Sequence, residues 1–431
     1  MTLLISNVKL VDPDAAKVTA GALLMRNGVI AEVFNTPNPE LSHDTVPEDA
    51  RRDGKGKYLA PGIVDIGVKI CEPGERHKES YGSAGQAAAA GGVTTIVTRP
   101  DTTPAIDTPE TLEFVRRRAN EAAPVHVLPM AALTKGRDGR EMTEIGFLMD
   151  AGAVAFTDCD SVVRDTKVLS RAMTYARALG ALVVGHPQEP ILSTGAATTS
   201  GKFASLRGLP TVSPMAERMG LDRDIALIEM TGVRYHADQL TTSRALPALE
   251  RAKRNGFDVT AGISMHHLTL NEFDVADYRT FFKIKPPLRS EDDRHTVVEA
   301  VKSGLIDVIG SFHTPQDEES KRLPFEEAAS GAVGLETMLP VLMRLYHSGD
   351  LNLPTLFRAL SLNPAKRLGL DCGRLAKGAP ADLVLFDPDK PIVLDRFKLL
   401  SKSKNTPFDG ARLQGKVIET FVSGTSVHRS T

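Results

Sequence analysis

Cysteine is scarce in this chain. Cys71, Cys159 and Cys372 stand far apart among 431 residues, and no C-x-x-C pair occurs. A disulfide framework and a four-cysteine zinc site are thereby excluded. Long apolar runs are missing too, since none approaches the roughly 20 residues that a membrane span requires. The opening MTLLISNVKLVDPDAAK has no basic region followed by an apolar core, so no secretory signal is expected and a cytoplasmic location is. Nor is there an excess of one charge. Lys+Arg 52 against Asp+Glu 54 leaves a net charge of -2, which gives no polyelectrolyte signal for nucleic acid or an anionic membrane surface. What remains is globular: apolar residues make up 42% and charged residues 25%, close to soluble-domain averages and away from disorder or fibres. The length suits one large domain with a smaller one.

The chain is organised in three parts. The first sixty residues read as short strands between Asp, Gly, Asn and Pro punctuation (LLISNVKLVD, GALLMRNGVIAEVF), and the last sixty read alike (ADLVLFDPDKPIVL, GKVIETFVSG). Both ends are therefore expected to build one small β domain, from 1–60 plus 370–431. Between them, over 61–369, buried-strand runs recur eight times: 62–68, 93–100, 125–133, 153–158, 181–186, 233–239, 257–264 and 307–313. Helical stretches such as 108–122, 167–180, 243–256 and 292–304 lie between these runs, with apolar residues at i, i+3, i+4 and i+7. Eight strand-plus-helix units predict an α/β fold, a (β/α)8 TIM-type barrel. A doubly wound open sheet would need a phosphate-binding Gly loop. The nearest segment, GQAAAAGG, follows a loop and reads as a small-residue helix ending at Gly91 and Gly92.

Chemistry in such a barrel sits where strands end at the C-terminal face. The candidates there are Gly67, Lys69 and Cys71; Arg99 and Asp101; Asp158; His186; Asp238 and Gln239; His266 and His267; Phe312 and His313. As a metal site this is poor. Asp158 and His186 are the plausible ligands from different strands, whereas a catalytic zinc takes at least three protein ligands.

The order of motifs resembles that of the bacterial dihydroorotases of the amidohydrolase superfamily over essentially the full length. The resemblance is carried by PGIVDIGVKICEPGERHKE (61–79), GGVTTIVTRPDTTPAID (91–107), SLRGLPTVSPMAER (205–218), MHHLTLNE (265–272), KIKPPLRSEDDR (283–294), PFEEAASGAVGLET (324–337) and SKSKNTPFDGARLQGKVIET (401–420). It implies a zinc-dependent barrel with a β-sandwich made from both termini. The catalytic positions depart from that pattern. Where the family carries D-x-H-x-H-x-R-x-P-G, this chain has Asp65, Gly67, Lys69, Cys71, Pro73 and Gly74, so two metal histidines and the substrate-gripping arginine are gone. Asp101 replaces a substrate-binding Asn, Gln239 a histidine ligand, and Lys285 the Asn of K-x-N-P-P-L-R. In the stretch corresponding to T-D-H-A-P-H, Phe312 replaces the Asp that binds metal and takes the proton of the attacking water.

No metal is expected here, although zinc is for the family; if one bound, Asp158 and His186 would hold it. Without metal nothing brings the pKa of water near neutrality, and Phe312 accepts no proton. The expected residual pocket comprises Asp65, Lys69, Arg99, Asp101, Asp158, His186 and His313. Within it the Lys69 ammonium is expected either to replace the lost cation beside Asp158 and Asp65 or to snorkel to solvent. Structural roles are expected for His266 and His267, a satisfied interior position for His236 and His313, and Cys71 is a reactive thiol only if a base lies near it. By resemblance to non-catalytic dihydroorotase-like forms, the expected role is structural support of aspartate transcarbamoylase in pyrimidine synthesis. The chain is expected to form a homo-oligomer with no nucleic-acid or membrane partner. The alternatives are a weakly metal-dependent cyclic amidohydrolase and a sensor holding an acidic pyrimidine precursor on Lys69, Lys285 and Arg99.

Overall fold

Residues 2–42, 45–275 and 278–430 are described by the structure, a computed structural model. The alternating apolar segments at the two ends pair with each other, as expected. Thr2–Asp12, Lys17–Arg26, Val29–Phe34, Arg51–Asp53 and Tyr58–Pro61 share one sheet with Leu383–Val393, Arg412–Val422 and Thr425–Arg429. Within it Lys17–Arg26 turns into Val29–Phe34 through Asn27 and Gly28, both at positive φ (+50° and +82°), the backbone that a two-residue hairpin of the right twist needs. The two ends meet where Tyr58–Pro61 lies between Thr2–Asp12 and Leu383–Val393. Leu3, Ile5, Leu10, Leu23, Leu59, Leu383, Leu385 and Phe421 form their shared core. An ion pair reinforces the join: Arg52 Nη1 donates to Glu419 Oε1 and Oε2 at 2.5 and 2.6 Å, with Glu419 almost fully buried.

The middle of the chain is a ring of parallel strands. Ile63–Val68, Val93–Thr98 and His126–Pro129 pair in order, and Leu182–Gly185, Arg234–Ala237, Val259–Ser264 and Val308–Gly310 form a second run. The fourth expected strand is reduced to Phe156, which bridges Ala131 on one side and Val183 on the other and so joins the two runs. On the far side Lys69 N–H donates to His313 O at 2.9 Å, which ties the first strand to the last. Ile66, Val97, Met130, Ala155, Leu182, Val184 and Val308 fill the interior, with Leu368 packed against them. This is a filled core and not a pore.

Helices cover the outside, started and stopped by local chemistry. Pro109–Ala122 begins at Thr108 with Pro at its first position, and Thr166–Leu179 runs from an Asp165 cap to Gly180 at φ +70°. Tyr81–Ala90 ends at Gly91, as the small-residue reading of that segment expected. Among the described residues no helix is long and apolar enough to cross a membrane.

A buried ion pair locks the C-terminal side of the ring. Glu217 accepts from Thr241 N–H and Thr242 N–H, both at 2.8 Å, from both of their hydroxyls, and from Arg289 Nη2 at 3.3 Å. Glu217 and Arg289 belong to the SLRGLPTVSPMAER and KIKPPLR motifs. Those motifs therefore carry structure, since a carboxylate sealed from water needs this many donors and a cation.

Candidate functional site

The strand ends converge on a cavity of about 170 Å³ lined by Lys69, Arg99, Asp101, His186, Gln239 and Lys285, together with Arg137, Asp160 and Asp238. Its polar groups are tied in a charge network. Arg99 grips Asp101 with two parallel bonds, Nε to Oδ1 at 3.2 Å and Nη2 to Oδ2 at 2.9 Å, the geometry in which guanidinium and carboxylate attract most strongly. Lys69 Nζ lies 3.2 Å from the same Asp101 Oδ2. Asp160 meets Lys285 Nζ at 3.1 Å and both Arg99 and Arg137 at 3.5 Å. Burial alone would raise the Asp160 carboxyl, but the Arg99 and Lys285 charges overcome it and hold the group well below the usual carboxylate range.

Lys69 therefore does not pair as expected. Asp158 needs no ammonium, because it accepts from Leu133 N–H and Thr134 N–H at 3.0 Å and from the Thr134 hydroxyl. Asp65 lies beneath the mouth, fully buried, with Oδ1 accepting from Ser311 N–H at 2.8 Å. Three of the expected pocket residues thus lie outside the cavity: Asp65, Asp158 and His313, whose Nδ1 accepts from Gly334 N–H at 3.1 Å while Nε2 lies 3.4 Å from buried Glu79. Asp160 and Arg137 were not foreseen. Arg137 ends a 3-10 turn, Lys135–Arg137, eight residues past the strand His126–Pro129, and Asp160 lies two residues past the expected run 153–158; carrying the strand-end rule further along these connections finds them.

The positions that distinguish this chain are structurally coupled. The first strand slips register between Ile66 and Val68, and Gly67 takes φ +97°. A Cβ on Gly67 would lie 3.0 Å from Phe312 Cε1, so the ring occupies the space into which a side chain at 67 would grow. Phe312 itself sits at φ +46°, a left-handed backbone that costs a bulky residue of order 1–3 kcal/mol and persists only where its surroundings over-determine it. Directly below, Asp65 Oδ2 finds no hydrogen-bond partner among the described residues, and burial pushes its carboxyl up to about 6 against the opposing Ser311 bonds.

The donor set does not fit zinc. Gly67 offers no side chain, Phe312 offers hydrocarbon, and Lys69 presents an ammonium engaged by Asp101. Gln239 spends its amide on Lys285 O at 3.4 Å, and Asp158 has both oxygens engaged. His186 Nδ1–H donates to Asp238 at 3.1 Å and leaves Nε2 without a partner among the described residues. Among those residues no three His, Cys, Asp or Glu side chains gather as a metal cage. Thiol chemistry fares no better, since burial pushes the Cys71 and Cys159 thiols up to about 12. The remaining histidines are built into the frame. His236 pairs with Thr260 Oγ1 at 2.8 Å, His266 with Ser264 Oγ at 2.9 Å, and His267 donates to Pro286 O at 3.1 Å. Burial pushes all three down to about 3.

Comparison with known proteins agrees with this architecture. A family model described as Dihydro-orotase-like matches residues 56–244. A dihydroorotase of Wolbachia sp. subsp. Drosophila simulans is 38% identical over 98% of this chain and 95% of its own length. Dihydroorotases of Syntrophus aciditrophicus and Aquifex aeolicus are 37% and 35% identical, each covering 100% of both chains. Among solved structures, L-hydantoinase (dihydropyrimidinase) from Arthrobacter aurescens superposes with TM-score 0.88 at 25% identity, covering 99% of this chain and 96% of its own. Dihydropyrimidinase from Brevibacillus agri NCHU1002 reaches 0.85 at 21%, over 100% and 95%, which is a likeness of fold.

Two measurements test the floor of the site. Gly67→Ala should destabilise the chain, and less so in a Phe312→Ala background, with a coupling of about 0.5–3 kcal/mol in a denaturation double-mutant cycle; strict additivity contradicts the contact. The second concerns Asp65, whose folded pKa of about 6 lies above the unfolded value near 3.8. The folded chain therefore binds more protons between those values, and this contribution to stability is lost as pH rises through about 6. Asp65→Asn should remove that slope and gain up to about 3 kcal/mol over the parent above pH 7. An unchanged pH slope in urea titrations would show that Asp65 does not carry it.

Proposed function

Because the chain belongs to the dihydroorotase family of the amidohydrolase superfamily, we propose that it is a non-catalytic member, acting in de novo pyrimidine synthesis as a structural partner of aspartate transcarbamoylase. One observation carries the loss of catalysis: the Phe312 ring lies over Gly67 where the resemblance implies a metal-binding carboxylate and a histidine. A ring in contact with a side-chain-free strand is a packed solution, and reversing either residue alone leaves a clash or a hole. Base, metal ligands and substrate-gripping arginine are missing together, and each such loss costs orders of magnitude in rate.

The structural role follows from what the chain keeps. Motif residues that build the frame, Glu217 and Arg289 among them, hold a buried network intact, so the scaffold is preserved where the reaction centre is not. The same resemblance supports a homo-oligomer as the form that meets the transcarbamoylase. The test is to produce the transcarbamoylase of the same cell with and without this chain. Sedimentation should show a joint complex, and transcarbamoylase assembly and activity should fall when the chain is left out. A transcarbamoylase fully active and normally assembled alone would contradict the role.

A further inference from the structure

Asp160 lies where two cavities meet. The inner cavity is the one already described. The outer groove, of about 750 Å³, runs past Arg164 and Lys283, and Arg137, Asp160 and Lys285 line both. The Asp160 side chain is 38% exposed against 5% for Asp101, so its carboxylate reaches in from the groove side instead of being sealed in the wall. Its backbone is shaped for that reach. Cys159 takes φ +55° and Ser161 N–H donates to Asp158 O at 3.1 Å, closing a tight turn. A non-glycine residue in the left-handed region marks a conformation that its surroundings impose.

We propose that Asp160 fills, in cis, a carboxylate-binding site formed by Arg99, Arg137 and Lys285, and that a small dicarboxylate enters the barrel mouth by displacing it into the groove. The three cations come from three separate segments and converge on one carboxylate at 3.1–3.5 Å. Arg99 is bonded to Asp101 and Arg137 to Asp158 O, so each turns one edge, its Nη2, toward the site, and both reach the same Asp160 Oδ1 at 3.5 Å. Among the described lining residues, four cations (Lys69, Arg99, Arg137 and Lys285) face three carboxylates (Asp101, Asp160 and Asp238). One positive charge is uncompensated with Asp160 in place, and two with it displaced, which matches a dianion. His186, its side chain 2% exposed and held by Asp238, presents an Nε2 with no partner among the described residues and offers the ligand a further contact. A tethered carboxylate competes at an effective concentration in the millimolar range, so the unaltered chain binds such ligands weakly. This inference rests on the mouth and not on the assembly role, and either can fail without the other.

Calorimetry with malonate tests it. Asp160→Asn should bind malonate at least tenfold more tightly than the parent, and adding Lys285→Met should remove the gain. Equal affinity in the parent and Asp160→Asn overturns the proposal, as does a gain that survives Lys285→Met. Sulfate bound by Asp160→Asn as tightly as malonate overturns the carboxylate assignment. Should Asp160→Asn fail to fold, crystals of the unaltered chain soaked in malonate carry the test. Malonate between Arg99, Arg137 and Lys285 with Asp160 turned outward supports it, and Asp160 left in place overturns it.

Discussion

Carboxylates at the ends of barrel strands, removed from much of their water, need either several hydrogen-bond donors or positive charge within a few ångströms to stay ionised. Here side chains supply that charge. Asp101 is held by Arg99 and Lys69, and Asp160 by Arg99, Arg137 and Lys285. Arg99, half-buried and shared between the two carboxylates, is the hub of the arrangement. With Asp101 and Asp160 paired this way, neither carboxylate needs a divalent ion as its counter-charge, and the four positions at which the resemblance implies a ligand or a base are Gly67, Lys69, Gln239 and Phe312. The replacements form a consistent set, since an ammonium pairs with Asp101, an amide with a backbone carbonyl, and a ring with a glycine.

The frame obeys different requirements from the mouth. Glu217 with Arg289, Glu419 with Arg52, and the filled interior around Val97 and Val184 tie strands, helices and termini together without touching the cavity. A family likeness of the frame therefore coexists with a rebuilt reaction centre, because packing and buried hydrogen bonding constrain the one and local charge balance the other.

The architecture was largely legible in the sequence because buried parallel strands are short apolar runs with turn residues on both sides, and seven of the eight runs became ladder strands. The fourth, AVAFTD, formed only bridges at Phe156, since an apolar run does not reveal how many ladder bonds its neighbours leave open. The empty ligand positions were equally legible, since Gly and Phe cannot hide a donor. Side-chain direction was not. The sequence suggests a Lys69–Asp158 pair, but the Thr134 hydroxyl and two backbone N–H groups take the Asp158 oxygens. Asp160 and Arg137 acquire meaning only through loops brought together by the fold, which local patterning does not encode.

The mouth is a cluster of paired carboxylates and cations with no reaction centre among its described residues. The most direct test is the dihydroorotase reaction of the purified chain, followed in both directions with and without added zinc. No turnover above background is expected in any condition, and no zinc should be retained after dialysis. Zinc-dependent turnover would contradict it, because a ligand set and a base would then have to assemble from residues that the structure shows otherwise engaged.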